Sequence, residues 1–418
     1  MRNKNFFKVI PFELFSKHNI LGICACAVFS IFGLAIYNGD TTLVPSSVCT
    51  LLLLLNLLLV VVSLMSYKNG IHVRHPRLLF ALLLYWFVNI IYVADGVNIG
   101  LGIPTLVFSI YICCIPKDQF LIALRIYTFL FFCMCLGGII AYVSFVLGLP
   151  LPHRIVDYYS VVHLDFYIDY KFSYILMRGQ AQGLRLCGLF NEPGYLGTFA
   201  AFILILNKFK LNFQNIVIFL AACLSFSMAF FSLIITYWGF RMLSAGKKAP
   251  IIIAFAYFAF NIIVPNIHFD NPEFEYLVNR FTVTDGNFEG DNRNNDAGER
   301  EYNAVMSNPS TMLFGKGAYY HNTTDATIVS HKRWIVQYGV VGFLLFYGMF
   351  CLYGIKLSRK LNGRYCISSI QYLIIFLIST YQRPYLYDIN YVFLLFGGIM
   401  QLTESENMLL LDNHTNNN

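Results

Sequence analysis

The chain has 418 residues, of which 57% are hydrophobic, 17% are aromatic and only 12% are charged. A soluble domain carries about 25% charged residues, so this composition excludes an ordinary soluble protein. The formal net charge of +7 is therefore no indication of nucleic-acid binding, and its placement along the chain reports membrane topology instead.

Apolar runs long enough to cross about 30 Å of hydrocarbon as helices recur along the chain. The basic segment 1–17 precedes the first run, and no small-residue cleavage pattern follows that run, so we expect it to be retained. The predicted spans are 19–37, 47–66, 78–94, 99–115, 120–148, 189–206, 250–267, 334–355, 366–380 and 388–402. These runs predict an all-α polytopic membrane protein, with 1–418 forming a single integral membrane domain.

The apolar stretch between residues 206 and 250 is compatible with one long helix or with two helices that turn near Ser225 to Ser227. Two helices give twelve spans and place 18 of the 29 Lys and Arg residues on the cytoplasmic side. One helix would turn the basic segments 241–248 and 356–364 outward, against the positive-inside rule. We therefore expect about twelve transmembrane helices, with both termini in the cytoplasm.

This topology leaves two long loops on the outer, periplasmic face, at 149–188 and 266–333. With Arg383 in a short loop, the outer segments hold 11 Lys and Arg, of which 8 are Arg. Arginine binds phosphate in a fork geometry and is less strongly hydrated than lysine. The bias favours an anionic ligand on the outer face, although counts this small are also compatible with chance.

The first outer loop is rich in aromatic residues between 157 and 174. The pattern predicts an interfacial helix or aromatic belt at the level of the lipid headgroups. A platform on which sugar rings stack is the alternative. The aromatic residues are Tyr158, Tyr159, Phe166, Tyr167, Tyr170, Phe172 and Tyr174.

The second outer loop contains two predicted helices. An amphipathic one covers 271–284. A short one covers Asp296–Ser307, where Asp296 and Glu299 resemble a capping box and Asn308 and Pro309 end the element. The sequence LFGKG then predicts a tight glycine turn, and His331 stands just before the next span.

The sequence contains few motifs that indicate a functional site other than the predicted outer face. No nucleotide-binding fingerprint, P-loop or zinc-type spacing is present, and ten of the eleven cysteines lie in apolar runs, which argues against disulfides and a thiolate metal site. Intramembrane charges are nearly absent, which weakens a proton-coupled transporter. Arginines could neutralise a departing diphosphate, and a histidine could take a proton from an attacking hydroxyl.

Three short patterns resemble the bacterial O-antigen polymerases and the related O-antigen ligases. They are Arg-x-x-Gly-x-x-x-Glu-Pro from Arg185, NPSTMLFGKG from Asn308, and His331 followed by the apolar run from Trp334. The resemblance implies a metal-independent, C-type glycosyltransferase fold without a cofactor. It also implies transfer of a glycan from undecaprenyl diphosphate to a sugar hydroxyl at the periplasmic face of the bacterial inner membrane.

Carried onto matching positions, the resemblance implies that Arg185 and Arg300 bind the diphosphate and that His331 is the base or orients the acceptor. Glu192 is expected to pair with an arginine and hold the shape of the site. The sequence departs from the ligases after His331, where Lys332, Arg333 and Trp334 follow. Further predicted substrate-binding residues are Arg178, Arg280, Arg293 and Arg383.

A polymerase, whose acceptor is the next lipid-linked repeat unit, is favoured over a ligase, whose acceptor is lipid A–core. The aromatic first loop and the loop around Arg383 resemble the polymerases more than the ligases. A chain-length regulator is a further candidate partner. A flippase or other transporter predicts two repeat-related halves, which the asymmetric loops do not show, and an assembly subunit predicts tolerance of substitution at the polar outer positions.

Overall fold

A computed structural model gives the structure of the protein, and it is mostly helical. It describes residues 46–65, 73–91, 99–159, 164–178, 183–244, 283–284, 287–288, 296–317, 328, 330–383, 386–387 and 389–415. The predicted spans 19–37 and 250–267 lie outside the described residues. So does most of the amphipathic helix predicted at 271–284, apart from Val283 and Thr284, which lie in a two-residue strand.

Four helices form the first part of the described chain, and each coincides with a predicted apolar run. Their bounds are α1 Ser46–Met65, α2 Pro76–Ile91, α3 Ile99–Cys114 and α4 Lys117–Val146. Several leucines of α1 are well exposed, among them Leu51 at 67% and Leu58 at 60%. Apolar side chains exposed in a continuous patch indicate contact with something other than water.

A four-stranded antiparallel sheet follows α4, with the strands in chain order. The strands are β1 Arg154–Tyr159, β2 Leu164–Asp169, β3 Tyr174–Arg178 and β4 Leu184–Gly188. The interfacial helix predicted at 157–174 is therefore wrong, and the outer loop departs from the all-α expectation. Tyr, Phe and Ile are strand-favouring residues whose alternate side chains point to opposite faces.

Both faces of this sheet are packed, which explains its aromatic content. Ile168, Ile175 and Leu186 face the helices and belong to the main core. The residues next to them in sequence form a second small core on the other face, consisting of Tyr167, Tyr174, Leu176 and Cys187. The sheet is thus anchored on the end of the helical bundle.

Three helices come next: α5 Pro193–Leu206, α6 Phe213–Leu224 and α7 Met228–Ser244. Every residue of α5 is buried, so α5 is the central helix of this group. The choice of two helices between residues 206 and 250 is confirmed, with the turn at Ser225 to Ser227.

A two-stranded ladder, β5 Val283–Thr284 and β6 Asn287–Phe288, precedes the helix α8 Asp296–Ser307, whose predicted bounds are confirmed. The short helix α9 Pro309–Phe314 then begins after Asn308, whose side chain accepts a hydrogen bond from the Ser310 N–H at 3.0 Å. The predicted glycine turn follows, with φ of 76° at Gly315 and 113° at Gly317.

The helix α10, Ser330–Leu357, is interrupted at Gly339, where φ is 70° and ψ is 179°. The glycine turn packs into this break, because Lys316 N–H donates to the Val336 carbonyl at 2.8 Å and Gly317 N–H donates to the Gln337 carbonyl at 3.0 Å. The turn thus satisfies carbonyls that the break removes from the helical ladder. The uninterrupted part, 340–357, has 18 residues and spans about 27 Å.

The helices α11 Ile367–Gln382 and α12 Ile389–Thr415 complete the bundle. At one end lie the N-termini of α2 and α4, the C-terminus of α10 and the middle of α12, joined by contacts such as the His75 and Tyr353 rings and the Lys117–Glu404 ion pair. We call this the basic end. The sheet, the α5 N-terminus and the α11 C-terminus lie at the opposite end, the sheet end.

Two described helices, α4 and α10, are long and apolar enough to cross a membrane, judged by length and composition. Shorter apolar helices accompany them, including Pro193–Leu206 and Phe213–Leu224. The coarse prediction of a helical protein with membrane-spanning segments is confirmed to this extent.

Candidate functional site

The sheet end is organised by an ion pair between Arg383 and Glu192. Glu192 precedes Pro193 at the start of α5, a position where proline fits because its missing N–H has no helical partner. Its carboxylate makes no hydrogen bond to its own helix and instead accepts one from Arg383 Nη2 at 2.5 Å. The prediction that Glu192 pairs with an arginine is confirmed.

The guanidinium of Arg383 is deeply buried, at 4% exposed, while the Glu192 side chain is 48% exposed. It lies over the ring of Tyr195, with Cζ 3.7 Å from the ring centroid, in a cation–π contact. Burial alone would lower the pKa of Arg383, but Glu192 raises it above its ordinary value, so the group stays charged. The ion pair therefore ties the C-terminus of α11 to the first turn of α5.

Several buried polar atoms around this ion pair have no hydrogen-bond partner within the described ranges. They are Arg383 Nε, Asn191 Oδ1 and Asn390 Oδ1. Unpartnered buried polar atoms are rare and cluster at functional sites, where water or a ligand completes them. We call Asn191, Glu192, Tyr195, Arg383 and Asn390 the Arg383 cluster; its unpartnered polar atoms can accept or donate further hydrogen bonds.

Arg185, which is predicted to bind the diphosphate, is nearly buried and donates hydrogen bonds within the protein. It lies on β4, is 8% exposed, and donates from Nε to the Ser225 carbonyl at 3.1 Å and from Nη2 to the Phe226 carbonyl at 2.9 Å. Phe226 has a φ of 46°, a conformation that is unusual for a residue other than glycine. These hydrogen bonds hold the turn between α6 and α7 against the sheet.

His331 lies in the first turn of α10 and is exposed. Its ring centroid is 6.4 Å from that of Tyr381 and 6.5 Å from that of Phe343. Tyr381 stands two residues before Arg383, at the end of α11. The fold thus brings His331 to the same end of the bundle as the Arg383–Glu192 ion pair.

The helix α8 docks beside His331 through the neighbouring residue Lys332. Lys332 Nζ donates to both carboxylate oxygens of Glu299, at 2.6 Å and 2.8 Å, and lies 5.2 Å from the centroid of the Tyr302 ring. Arg300 follows Glu299 and is exposed. Within the described part of the chain, Arg300 makes no hydrogen bond or ion pair.

The structure gives less information on the other predicted arginines, Arg178, Arg280 and Arg293. Arg178 ends β3 and pairs through its backbone position with Asp165 on β2. Arg280 and Arg293 lie outside the described residues. Among the described residues no group of three or more His, Cys, Asp or Glu is arranged to hold a metal ion.

Sequence reasoning missed Tyr195 and Lys332. Tyr195 stands one residue after Gly194, and nothing in the local pattern shows that a residue nearly two hundred positions away stacks on it. Lys332 counted only as a departure from the ligase pattern, although an acidic helix in the same loop offered partners for it. Both roles depend on contacts between distant segments.

Among the described residues, the sheet end brings arginines, carboxylates and His331 together at one end of an apolar helical bundle. The chain matches no protein-family model, and neither the curated proteins nor the solved structures with which it was compared give a match.

Proposed function

We propose that the chain is a multi-pass enzyme of the bacterial inner membrane that polymerises O-antigen repeat units. Its donor is the growing glycan on undecaprenyl diphosphate, and its acceptor is a sugar hydroxyl of the next lipid-linked repeat unit. The observation that carries the proposal is the convergence of His331, through Tyr381, on the end of α11 where Arg383 binds Glu192.

Three further features support a membrane enzyme with an outward-facing site. Two helices have the length and composition of membrane spans. Leucines of α1 are exposed in a way that suits lipid. Four basic side chains, His75, Lys117, Arg359 and Lys360, lie together at the basic end. By the positive-inside rule this cluster supports a cytoplasmic basic end and a periplasmic sheet end.

The proposed reaction is a single displacement at the anomeric carbon of the donor. The acceptor oxygen forms a bond to that carbon and its proton passes to His331, while the bond from the carbon to the diphosphate oxygen breaks. The diphosphate leaves with the electron pair, and Arg300 neutralises the charge that develops on it. Inversion at the anomeric carbon would convert an α-linked donor into a β-linked product.

Arg185 acts in this proposal as a positioning residue. Its hydrogen bonds to Ser225 and Phe226 support a role in fixing the α6–α7 turn beside α5. Arg383 and Glu192 frame the site from the opposite side, and the remaining polar atoms near them suit the glycan or its bridging water molecules.

The test is the lipopolysaccharide pattern of a strain that lacks the chain, examined on a gel. A polymerase predicts a single repeat unit on the core, whereas no repeat unit at all would identify a ligase or a flippase and overturn the proposal. Complementation with Arg300→Ala or His331→Ala should fail to restore the ladder although the protein reaches the membrane.

The matched control is Arg364→Ala, which removes an exposed arginine at the basic end and should restore a full ladder. Full ladders from both Arg300→Ala and His331→Ala would remove these residues from the site. A ladder from His331→Ala alone would shift the base to another group.

A further inference from the structure

The basic end contains a pocket that the proposed reaction does not use. Its volume is about 240 Å³. It lies where the N-termini of α2 and α4 meet the C-terminus of α10 and the middle of α12. Four basic side chains line it over an apolar floor that includes Leu357 and Met400: His75, Lys117, Arg359 and Lys360.

Two of these cations are already paired. Lys117 binds Glu404, and Lys360 Nζ lies 2.5 Å from Glu406 Oε2. Arg359 is different, because its Nε donates to the Gly363 carbonyl at 3.3 Å and its two terminal nitrogens have no partner in the described part of the chain. A guanidinium in this state offers a fork of two donors to an anion.

His75 adds a polar group to the same wall. Burial lowers the pKa of His75, and the nearby Lys356 and Arg74 lower it further, so the imidazole is neutral near pH 7. The ring packs edge-on against Tyr353, with centroids 5.9 Å apart, which fixes its orientation. A neutral imidazole in a fixed orientation can donate one hydrogen bond to an oxygen of a bound anion.

We propose that this pocket binds the phosphoryl head group of an anionic phospholipid. Drug-sized ligands occupy pockets of about 300–1,000 Å³, so a pocket of about 240 Å³ suits a head group while the acyl chains stay outside. Leu361 also lines the pocket and is 74% exposed. It offers an apolar surface on which the acyl chains can lie outside the pocket. Basic pockets between helices at the cytoplasmic side are suited to anionic lipids.

The lipid site stands apart from the glycosyltransferase proposal. It depends on residues at the basic end, and none of them belongs to the Arg383 cluster, to α8 or to the first turn of α10. A chain without transferase activity could still hold the lipid, so the two proposals fail in different experiments.

The test is binding of lipid to the full chain purified in a neutral detergent, measured as the midpoint of thermal unfolding during titration. Phosphatidylglycerol should raise the midpoint in a saturable way, and phosphatidylcholine should not. Inorganic phosphate at the same concentration distinguishes a free phosphate site, since an equal shift with phosphate would overturn the lipid assignment.

Arg359→Gln should weaken phosphatidylglycerol binding by about tenfold or more, because a charge-assisted hydrogen bond is lost. Arg364→Gln is the matched control, since Arg364 is equally exposed, lies five residues away and does not line the pocket. It should bind as the unaltered chain does. Equal weakening by both substitutions would show unspecific attraction to a basic surface and overturn the site.

Leu361→Glu provides a second variant that removes no protein contact of Arg359. Its carboxylate would stand at the pocket wall and repel an anionic head group, so binding should again weaken while the midpoint without lipid stays unchanged. Undiminished binding in both Arg359→Gln and Leu361→Glu would place the lipid elsewhere.

Discussion

Arg383 Nη2 donates a hydrogen bond to Glu192 Oε2 at 2.5 Å, although the two residues are 191 positions apart in the chain. The carboxylate lies at the N-terminus of α5, where the helix dipole favours negative charge. Arg383 is the C-cap residue of α11, and its backbone N–H donates to the Ser379 carbonyl. One ion pair thereby fixes the relative position of two helices that border the candidate site.

Glu192→Gln should lower the free energy of unfolding by about 1–2 kcal/mol. Removing one partner of a fully buried ion pair costs about 3–5 kcal/mol, but solvent screens the half-exposed Glu192 carboxylate and reduces that cost. Thermal or denaturant unfolding in detergent measures the change. Glu404→Gln, which breaks a more exposed ion pair at the basic end, should cost less than about 1 kcal/mol, and an equal loss in both variants would contradict a special role for Glu192.

Gly194→Ala should displace Arg383 and reduce polymer formation. A Cβ at position 194 would lie 2.3 Å from Arg383 Nη2, so the guanidinium must move away from Glu192. Gly239→Ala is the control, because a Cβ there meets nothing within 4 Å. We expect a shortened ladder from Gly194→Ala and a normal ladder from Gly239→Ala on the same gel.

Gly339→Ala should destabilise the protein by more than about 2 kcal/mol, through steric overlap and a left-handed backbone conformation. A Cβ at this position would lie 2.1 Å from the Leu313 carbonyl oxygen, where the glycine turn packs into the helix break. Gly348→Ala in the same helix meets nothing within 4 Å and should be neutral or slightly stabilising. Equal unfolding midpoints for both variants would show that the break is not required.

Asp169 should make the four-stranded sheet sensitive to strong acid. Its side chain is fully buried and accepts hydrogen bonds from Arg154 Nε at 2.5 Å and from Lys171 N–H at 2.6 Å. Burial would raise the pKa of Asp169, but the hydrogen bonds from Lys171 and Arg154 hold it below its ordinary value. The stabilisation is therefore present above the unfolded pKa of about 3.9 and is lost as the pH falls through the lower folded pKa.

Limited proteolysis of the segment 149–188, which contains the sheet, checks this expectation. The segment should resist cleavage at pH 7 and become susceptible only in strong acid, whereas Asp169→Asn should be susceptible at pH 7 because the two cations lose their carboxylate. Lys171→Ala keeps the backbone donor and removes only an exposed ammonium, so it should change cleavage little. Resistance of Asp169→Asn at pH 7 would contradict a supporting role for the carboxylate.

The sequence by itself determined the positions of the helices. Runs of apolar residues have the length of a membrane span, the charges beside them predict on which side of the membrane each connection lies, and the capping pattern from Asp296 predicts α8. The turn at Ser225 to Ser227 could also be predicted, since a single helix there would have turned basic segments outward. These features depend on residues that are close in the chain, so local sequence patterns are sufficient to predict them.

Only the tertiary structure decided how the site is assembled. The aromatic loop forms a sheet because apolar side chains pack on both of its faces. An amphipathic helix would bury only one side. Arg185 donates hydrogen bonds to the Ser225 and Phe226 carbonyls, and Glu192 pairs with Arg383, 191 positions away in the chain. The break at Gly339 exists where the glycine turn supplies the missing hydrogen bonds. Each outcome depends on which distant groups meet, and that is fixed by packing of the whole bundle.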